Sequence, residues 1–200
     1  MDFQDVVRTR RMVRAFTDRP VPRDVVARIL GNARRGPSSG FAQGFEFLVF
    51  DGPEQTARFW GYLRSRGEDD SDELPVMAAP LIVVPVANAD AYVRRYLEPD
   101  KVHVGRTSAD DWPAPYWFTD TAFAAMLILL TAVDAGLGAY YFSLGPTSRE
   151  IPGFKTAFGI PEPFHPIGAI AIGYPAPDRP SPSLRRGRRP PEDVLHFGEW

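Results

Sequence analysis

An α+β fold is predicted by three features of the sequence. Apolar runs of strand length, at 45–50, 81–86, 139–143 and 167–173, are separated by stretches whose apolar residues recur at helical spacing. One of those stretches, Ala122 to Val133, is apolar all round and reads as the central helix of a core. Neither an internal repeat nor a boundary linker divides the chain, so residues 1–200 are expected to form one domain of alternating strands and helices with long extensions.

Asp2 is placed to cap a first helix carrying Phe3, Val6 and Val7, and the helix delivers Arg8, Arg10, Arg11 and Arg14 at its end. Pro22 suits the first turn of a second helix with Val25, Val26, Ile29, Leu30 and Ala33 on one stripe, ended by Gly36-Pro37. A loop to Gly44 leads into the strand at 45–50. Pro53 opens a helix expected to bury Ala57, Trp60 and Leu63. The acidic run 67–73 lacks the glycine turn and spacing of a calcium loop and reads as a solvated segment. The run 81–86 suits a strand buried on both faces, with Pro85 requiring an edge or a bulge.

A short helix is expected at 90–97, then a long loop at 98–118 holding Trp112, Pro113, Pro115, Tyr116 and Trp117, long enough to serve as a lid. Thr119 or Asp120 would cap the central helix, which Gly136-Leu137-Gly138 stops. A strand at 139–143, a short helix near 148–158 and a strand at 167–173 follow. Residues 175–191, rich in Pro and Arg, break regular structure, whereas Val194, Leu195, Phe197 and Trp200 are apolar; this predicts an arm that docks its tip on another surface.

Of the 23 basic residues only Lys101 and Lys155 are lysines, and against 25 acidic residues the net charge is −2. No global field would draw the chain to nucleic acid or to an acidic membrane, so an anion site must be local, and arginine forks suit one. The N-terminus lacks a secretory pattern and the longest apolar run falls short of a span, so a cytoplasmic location is expected, with no membrane partner. With no cysteine and three scattered histidines, thiolate zinc sites and Cys nucleophiles are excluded and no metal is expected. There is no G-x-S-x-G, Walker loop or G-x-G-x-x-G. Two arginine clusters at opposite ends of the chain remain, with a small-residue loop, Gly36 to Gly44, between them.

Five pieces in order carry a resemblance over nearly the whole chain. They are Arg10-Arg11-Met12-Val13-Arg14-Ala15-Phe16; Pro37-Ser38-Ser39-Gly40-Phe41-Ala42-Gln43-Gly44-Phe45; Asp120 heading a long apolar helix into Gly136-Leu137-Gly138; Gly159-Ile160-Pro161 with Ile170-Ala171-Ile172-Gly173-Tyr174-Pro175; and Arg185-Arg186-Gly187-Arg188-Arg189-Pro190. Together they resemble the nitroreductase family of FMN enzymes. The resemblance implies a mixed central sheet wrapped by helices, in a homodimer with FMN at the subunit interface and the C-terminal arm exchanged. It implies that Arg10, Arg11, Met12 and Arg14 hold the phosphate and pyrimidine edge, and that Pro37, Ser38, Ser39 and Phe41 reach the flavin from the partner. Ser143, Leu144 and Gly145 would present backbone amides to the flavin, and Arg186 and Arg188 would complete the phosphate clamp.

Two departures from the family pattern stand out: Met12 replaces the usual serine and Phe41 the usual asparagine. Gly44, in place of a proline, is expected to leave its loop freer, and Gln43 reads either as a ligand or as a loop brace. The expected activity is hydride transfer from NADH or NADPH through FMN to a flat, electron-poor acceptor in ping-pong order, with no catalytic side chain and with Tyr116 and Trp117 shaping the acceptor slot. A deazaflavin could stand in as reductant. Two rivals are oxygen-dependent flavin fragmentation, as in the dimethylbenzimidazole synthase branch that the G-F-x-Q variant resembles, and flavin storage without turnover.

Overall fold

The computed structural model describes residues 1–65, 75–145, 148–178 and 181–200; the acidic run 67–73 lies outside them. The elements are α1 (Phe3–Thr9), α2 (Arg23–Ala33), β1 (Phe45–Asp51), α3 (Pro53–Arg64), β2 (Leu81–Asn88), α4 (Ala89–Tyr96), α5 (Tyr116–Asp134), β3 (Gly138–Phe142), α6 (Ile151–Phe158), β4 (Phe164–Pro166) and β5 (Ala169–Gly173). The strands form one sheet in the order β1-β2-β5-β3, with β4 also paired to β2. The α+β class is as expected. Each of these strand pairs is antiparallel, and the parallel contribution is a bridge from Met12 to Ala139 on β3.

β2 is buried along its whole length because both faces of the sheet are covered. Leu81 and Val83 join Ile170 and Ile172 of β5 under α2 and α5, with Ile29, Ala33, Ile128 and Ala132. Ile82 and Val84 alternate to the other face with Ala169 and Ala171, against Phe59 and Trp60 of α3 and Phe154 of α6. Pro85 is accommodated by a break in pairing. The β5 ladder ends at Val83↔Ile170 and the β4 ladder starts at Val86↔Pro166, so along β2 the three residues 167–169 stand against two, 84 and 85.

Several expectations are corrected. α5 begins at Tyr116, with Pro115 at its N-cap in place of the anticipated Thr119 or Asp120, and Asp120 is buried inside it. The long loop therefore ends at Pro115. On α3 the buried stripe is Thr56, Phe59 and Trp60, while Ala57 faces solvent and Leu63 is half-buried. On α1 only Val6 is buried; Phe3 and Val7 are exposed. α5 is long and apolar enough to cross a membrane by length and composition, but it packs on α2 and the sheet as a core helix.

Candidate active site

The basic N-terminal segment is laid along the free edge of β3. The Arg10 amide closes α1 on the Val6 carbonyl, Val13 N–H donates to the Ala139 carbonyl at 3.0 Å, and the Tyr141 amide donates to the Met12 thioether at 3.5 Å. Arg14 places its guanidinium 4.8 Å above the Tyr140 ring. Residues 14–17 pair in turn with 174–178: Thr17 N–H donates to the Tyr174 carbonyl (2.9 Å) and Ala176 N–H to the Ala15 carbonyl (3.0 Å). Asp178 ends this ribbon with one carboxylate oxygen accepting from the Arg14 amide (3.0 Å) and from the Arg11 guanidinium (3.4 Å). Its side chain is only 10% exposed, so a sheltered carboxylate ties the root of the C-terminal arm to the arginine segment.

Where β3 ends, the chain borders a cleft of about 580 Å³. Phe118 of α5, Tyr141, Ser143, Leu144, Gly145 and His165 line it. The sequence-predicted 143–145 segment thus stands at a cavity of ligand size, directly after the strand beside which the Arg10–Arg14 segment runs. Tyr141 donates its hydroxyl to the Ile167 carbonyl, and burial pushes its pKa up. His165 meets the Phe118 ring edge-on at 5.2 Å. Burial, and then the Lys155 charge, hold its imidazole below the usual histidine range and favour the neutral form. A separate cavity of about 420 Å³ between α3 and residues 77–80 contains none of the predicted site residues.

The Pro37–Gly44 loop is built by α4 and α5. Asp120 accepts from the Ser39 amide at 2.9 Å and from the Tyr92 hydroxyl at 2.7 Å, while the Ser39 and Tyr96 hydroxyls lie 3.2 Å apart. Burial and the bond to Asp120 drive the Tyr92 pKa far up, so the phenol stays a donor. Arg95 donates to the Gly40 carbonyl (2.8 Å), and the Gln43 amide donates to the Ser38 hydroxyl (2.9 Å). Phe41 and Gln43 both hold positive φ, 57° and 50°, conformations that non-glycine residues adopt only when the surroundings impose them. Phe41 is 73% exposed at the tip.

Within one chain these pieces do not all meet. Among the described residues no hydrogen bond, ion pair or ring contact joins the 37–44 loop to Arg10–Arg14 or to 143–145. Arg185, Arg186, Arg188 and Arg189 are exposed in the tail, with Arg189 bonded to the Asp193 carbonyl. Tyr116 and Trp117 pack with Tyr92, Tyr96 and Trp112 in a small aromatic core, and the neighbouring Phe118 is the ring that reaches the cleft. Reading the sequence also missed His165, Tyr141 and Asp178. Asp178 is buried within a Pro- and Arg-rich stretch, and the cleft residues come from separate elements.

Comparison with known proteins places this geometry. Residues 7–174 match the family model described as Nitroreductase family. The chain belongs to the nitroreductase family. A Methanothermobacter thermautotrophicus protein with the provisional name NADH dehydrogenase/NAD(P)H nitroreductase is 28% identical over 200 residues, covering 100% of this chain and 88% of that protein. A Staphylococcus aureus NADPH-dependent oxidoreductase is 22% identical over 98% of this chain and 73% of its own length. Two solved structures share the fold. A nitroreductase family protein from Clostridium difficile has a TM-score of 0.70 at 19% identity over 100% of both chains. A protein from Exiguobacterium sibiricum, provisionally named a nitroreductase and solved in complex with FMN, has a TM-score of 0.71 at 21% identity over 98% of this chain and 97% of that one.

Against the nitroreductase pattern, the departures acquire physical content. Met12, where the family's opening carries serine, spends its side chain on the Tyr141 amide and so braces β3. Gly44 is pinned rather than free: it is buried, and a Cβ there would stand 2.4 Å from the Tyr92 ring and 2.8 Å from the Asn88 carbonyl. Gln43 braces the loop through its backbone.

Proposed function

We propose that this nitroreductase-family enzyme binds FMN between two copies of the chain and passes electrons from NADH or NADPH to a flat, electron-poor acceptor in ping-pong order. The observation that supports it is the split of the site. Arg10, Arg11 and Arg14 belong to the segment that runs beside β3 and Ser143–Gly145 follow that strand, whereas the loop of Ser38, Ser39 and Phe41 and the exposed Arg186 and Arg188 make no described contact to them. A second copy supplies the missing half.

The donor set fits such a cofactor. Three arginines on one short segment suit a phosphate, and the cleft at the end of β3, lined by Phe118, Tyr141, Leu144, Gly145 and His165, has the size a flat ring requires. FMN, when bound, supplies the two-electron chemistry. The chain's own residues bind and orient it: the arginines hold the phosphate, Ser143–Gly145 face the ring edge, and the loop held by Asp120 closes over it from the partner. The faces available for pairing are apolar. Phe3 and Val7 of α1, Phe123 and Met126 of α5, and Leu184, Leu195, Phe197 and Trp200 of the tail are all exposed. The tail is read as the exchanged arm of an otherwise single domain.

The test uses the purified protein under anaerobic conditions. NADH or NADPH should bleach the bound flavin within seconds, and a nitroaromatic or quinone should restore its colour with the flavin intact. Loss of isoalloxazine only when oxygen is added would instead support fragmentation, and a bound flavin that neither nucleotide reduces would support storage.

A further inference from the structure

Asp178 stands against the arginine segment without belonging to the phosphate-binding set. Beside β3 the segment uses consecutive amides on different partners: Val13 N–H goes to the Ala139 carbonyl and Arg14 N–H to the Asp178 side chain. Pro175 and Pro177 have no N–H to offer, and the main-chain pairing between 14–17 and the arm reaches no further than the Ala176 amide. The Asp178 carboxylate takes over there. One oxygen accepts from the Arg14 amide at 3.0 Å and from the Arg11 guanidinium at 3.4 Å. Among the described residues it is the only carboxylate paired with Arg10, Arg11 or Arg14.

The two contacts differ in kind. The amide contact lies on paired backbone and needs only an acceptor oxygen. The guanidinium contact is long, and the Arg11 side chain is 53% exposed against 10% for the carboxylate, so Asp178 does not lock Arg11 in one position. What reaches Arg11, and any anion held there, is the charge. A carboxylate sheltered from water is screened less than an exposed one, and a like charge beside a bound phosphate opposes it.

We infer that Asp178 is a specificity-determining residue of the cofactor site. Its fixed negative charge beside Arg11 limits how strongly the site prefers a phosphorylated flavin over an unphosphorylated one, while its hold on the Arg14 amide keeps the segment in place. The inference rests on the reading that Arg10, Arg11 and Arg14 receive the FMN phosphate.

Equilibrium dialysis of the full chain against FMN and against riboflavin, which lacks the phosphate, tests it. Asp178→Asn keeps an acceptor for the Arg14 amide and removes the charge. It should bind FMN about threefold to tenfold more tightly than wild type, with riboflavin affinity unchanged. The gain should shrink as salt is raised to about 1 M, where the screening length falls to about 3 Å. Asp178→Ser, a second neutral variant with an acceptor oxygen, should show the same FMN-selective gain. Unchanged or weaker FMN binding in both variants, an equal gain for riboflavin, or a gain that salt leaves untouched would overturn the inference. Wild type that binds neither flavin would overturn the FMN reading and this inference with it, whereas wild type that binds FMN and is matched by both variants would overturn the inference alone.

Discussion

Asp120 shows how one side chain can set a loop. Its carboxylate, 5% exposed, satisfies the Ser39 amide and the Tyr92 hydroxyl together. Asp120→Ala would orphan both donors at about 1–3 kcal/mol each, and Asp120→Asn, which keeps an acceptor oxygen, should cost less; urea denaturation measures both. Gly44→Ala should cost about 1–3 kcal/mol by forcing the Tyr92 ring away, and no loss in the same assay would refute the close approach. Neither role was legible. An acid before a long apolar run has the pattern of a helix cap, and a glycine in place of the proline of the family pattern looks like added freedom until Tyr92 is seen against it. The arginines were legible as a class because nearly all the basic residues are arginine. Arg10→Ala and Arg186→Ala should each weaken FMN binding tenfold to a hundredfold, about 1.5–3 kcal/mol, as fluorescence titration reads. Wild-type affinity in both would remove them from the site.

The helix starts at Asp2, Pro22 and Pro53 fall within a residue of where the sequence puts them, because capping and proline chemistry act locally. The two-faced burial of β2 was legible from its unbroken apolar run, and its proline foretold the break between β4 and β5. β4 itself was not, since three residues among Pro161, Pro163 and Pro166 read as a turn. The segment from 97 to 115 is held by local acid contacts rather than by a run of apolar residues. Asp100 is bidentate to Arg95, which lowers its pKa from 3.8 to about 2, and the Ser108 and Thr107 amides hold Asp111 low. Because these pKa values are depressed in the folded protein, the stabilisation is complete above the unfolded values near 4 and disappears as pH falls towards about 2. Acid titration should therefore loosen this segment between pH ~4 and ~2. Tryptophan emission should shift to the red as Trp112 leaves its aromatic cluster, and a pH-independent signal across that window would contradict the assignment.

At the scale of the whole molecule the chain is folded, but the residues proposed for its site are divided among segments with no described contact between them. The α+β architecture and the order of its pieces were readable because each motif is local. Which pieces share a cleft was not, since that depends on the approach of Phe118, Tyr141 and His165 from three elements. The root of the arm, at 174–178, is paired to residues 14–17, while its far end presents Phe197 and Trp200 at 90% and 100% exposure. Deleting residues 176–200 should weaken the dimer and release flavin together, seen by light scattering and absorbance. The most direct measurement of the central claim is size-exclusion chromatography with light scattering and visible absorbance, on protein reconstituted with excess FMN. The account predicts a single species of twice 22.3 kDa that carries one FMN per chain, released on denaturation. A monomer that retains FMN, or a dimer that stays colourless, would contradict it.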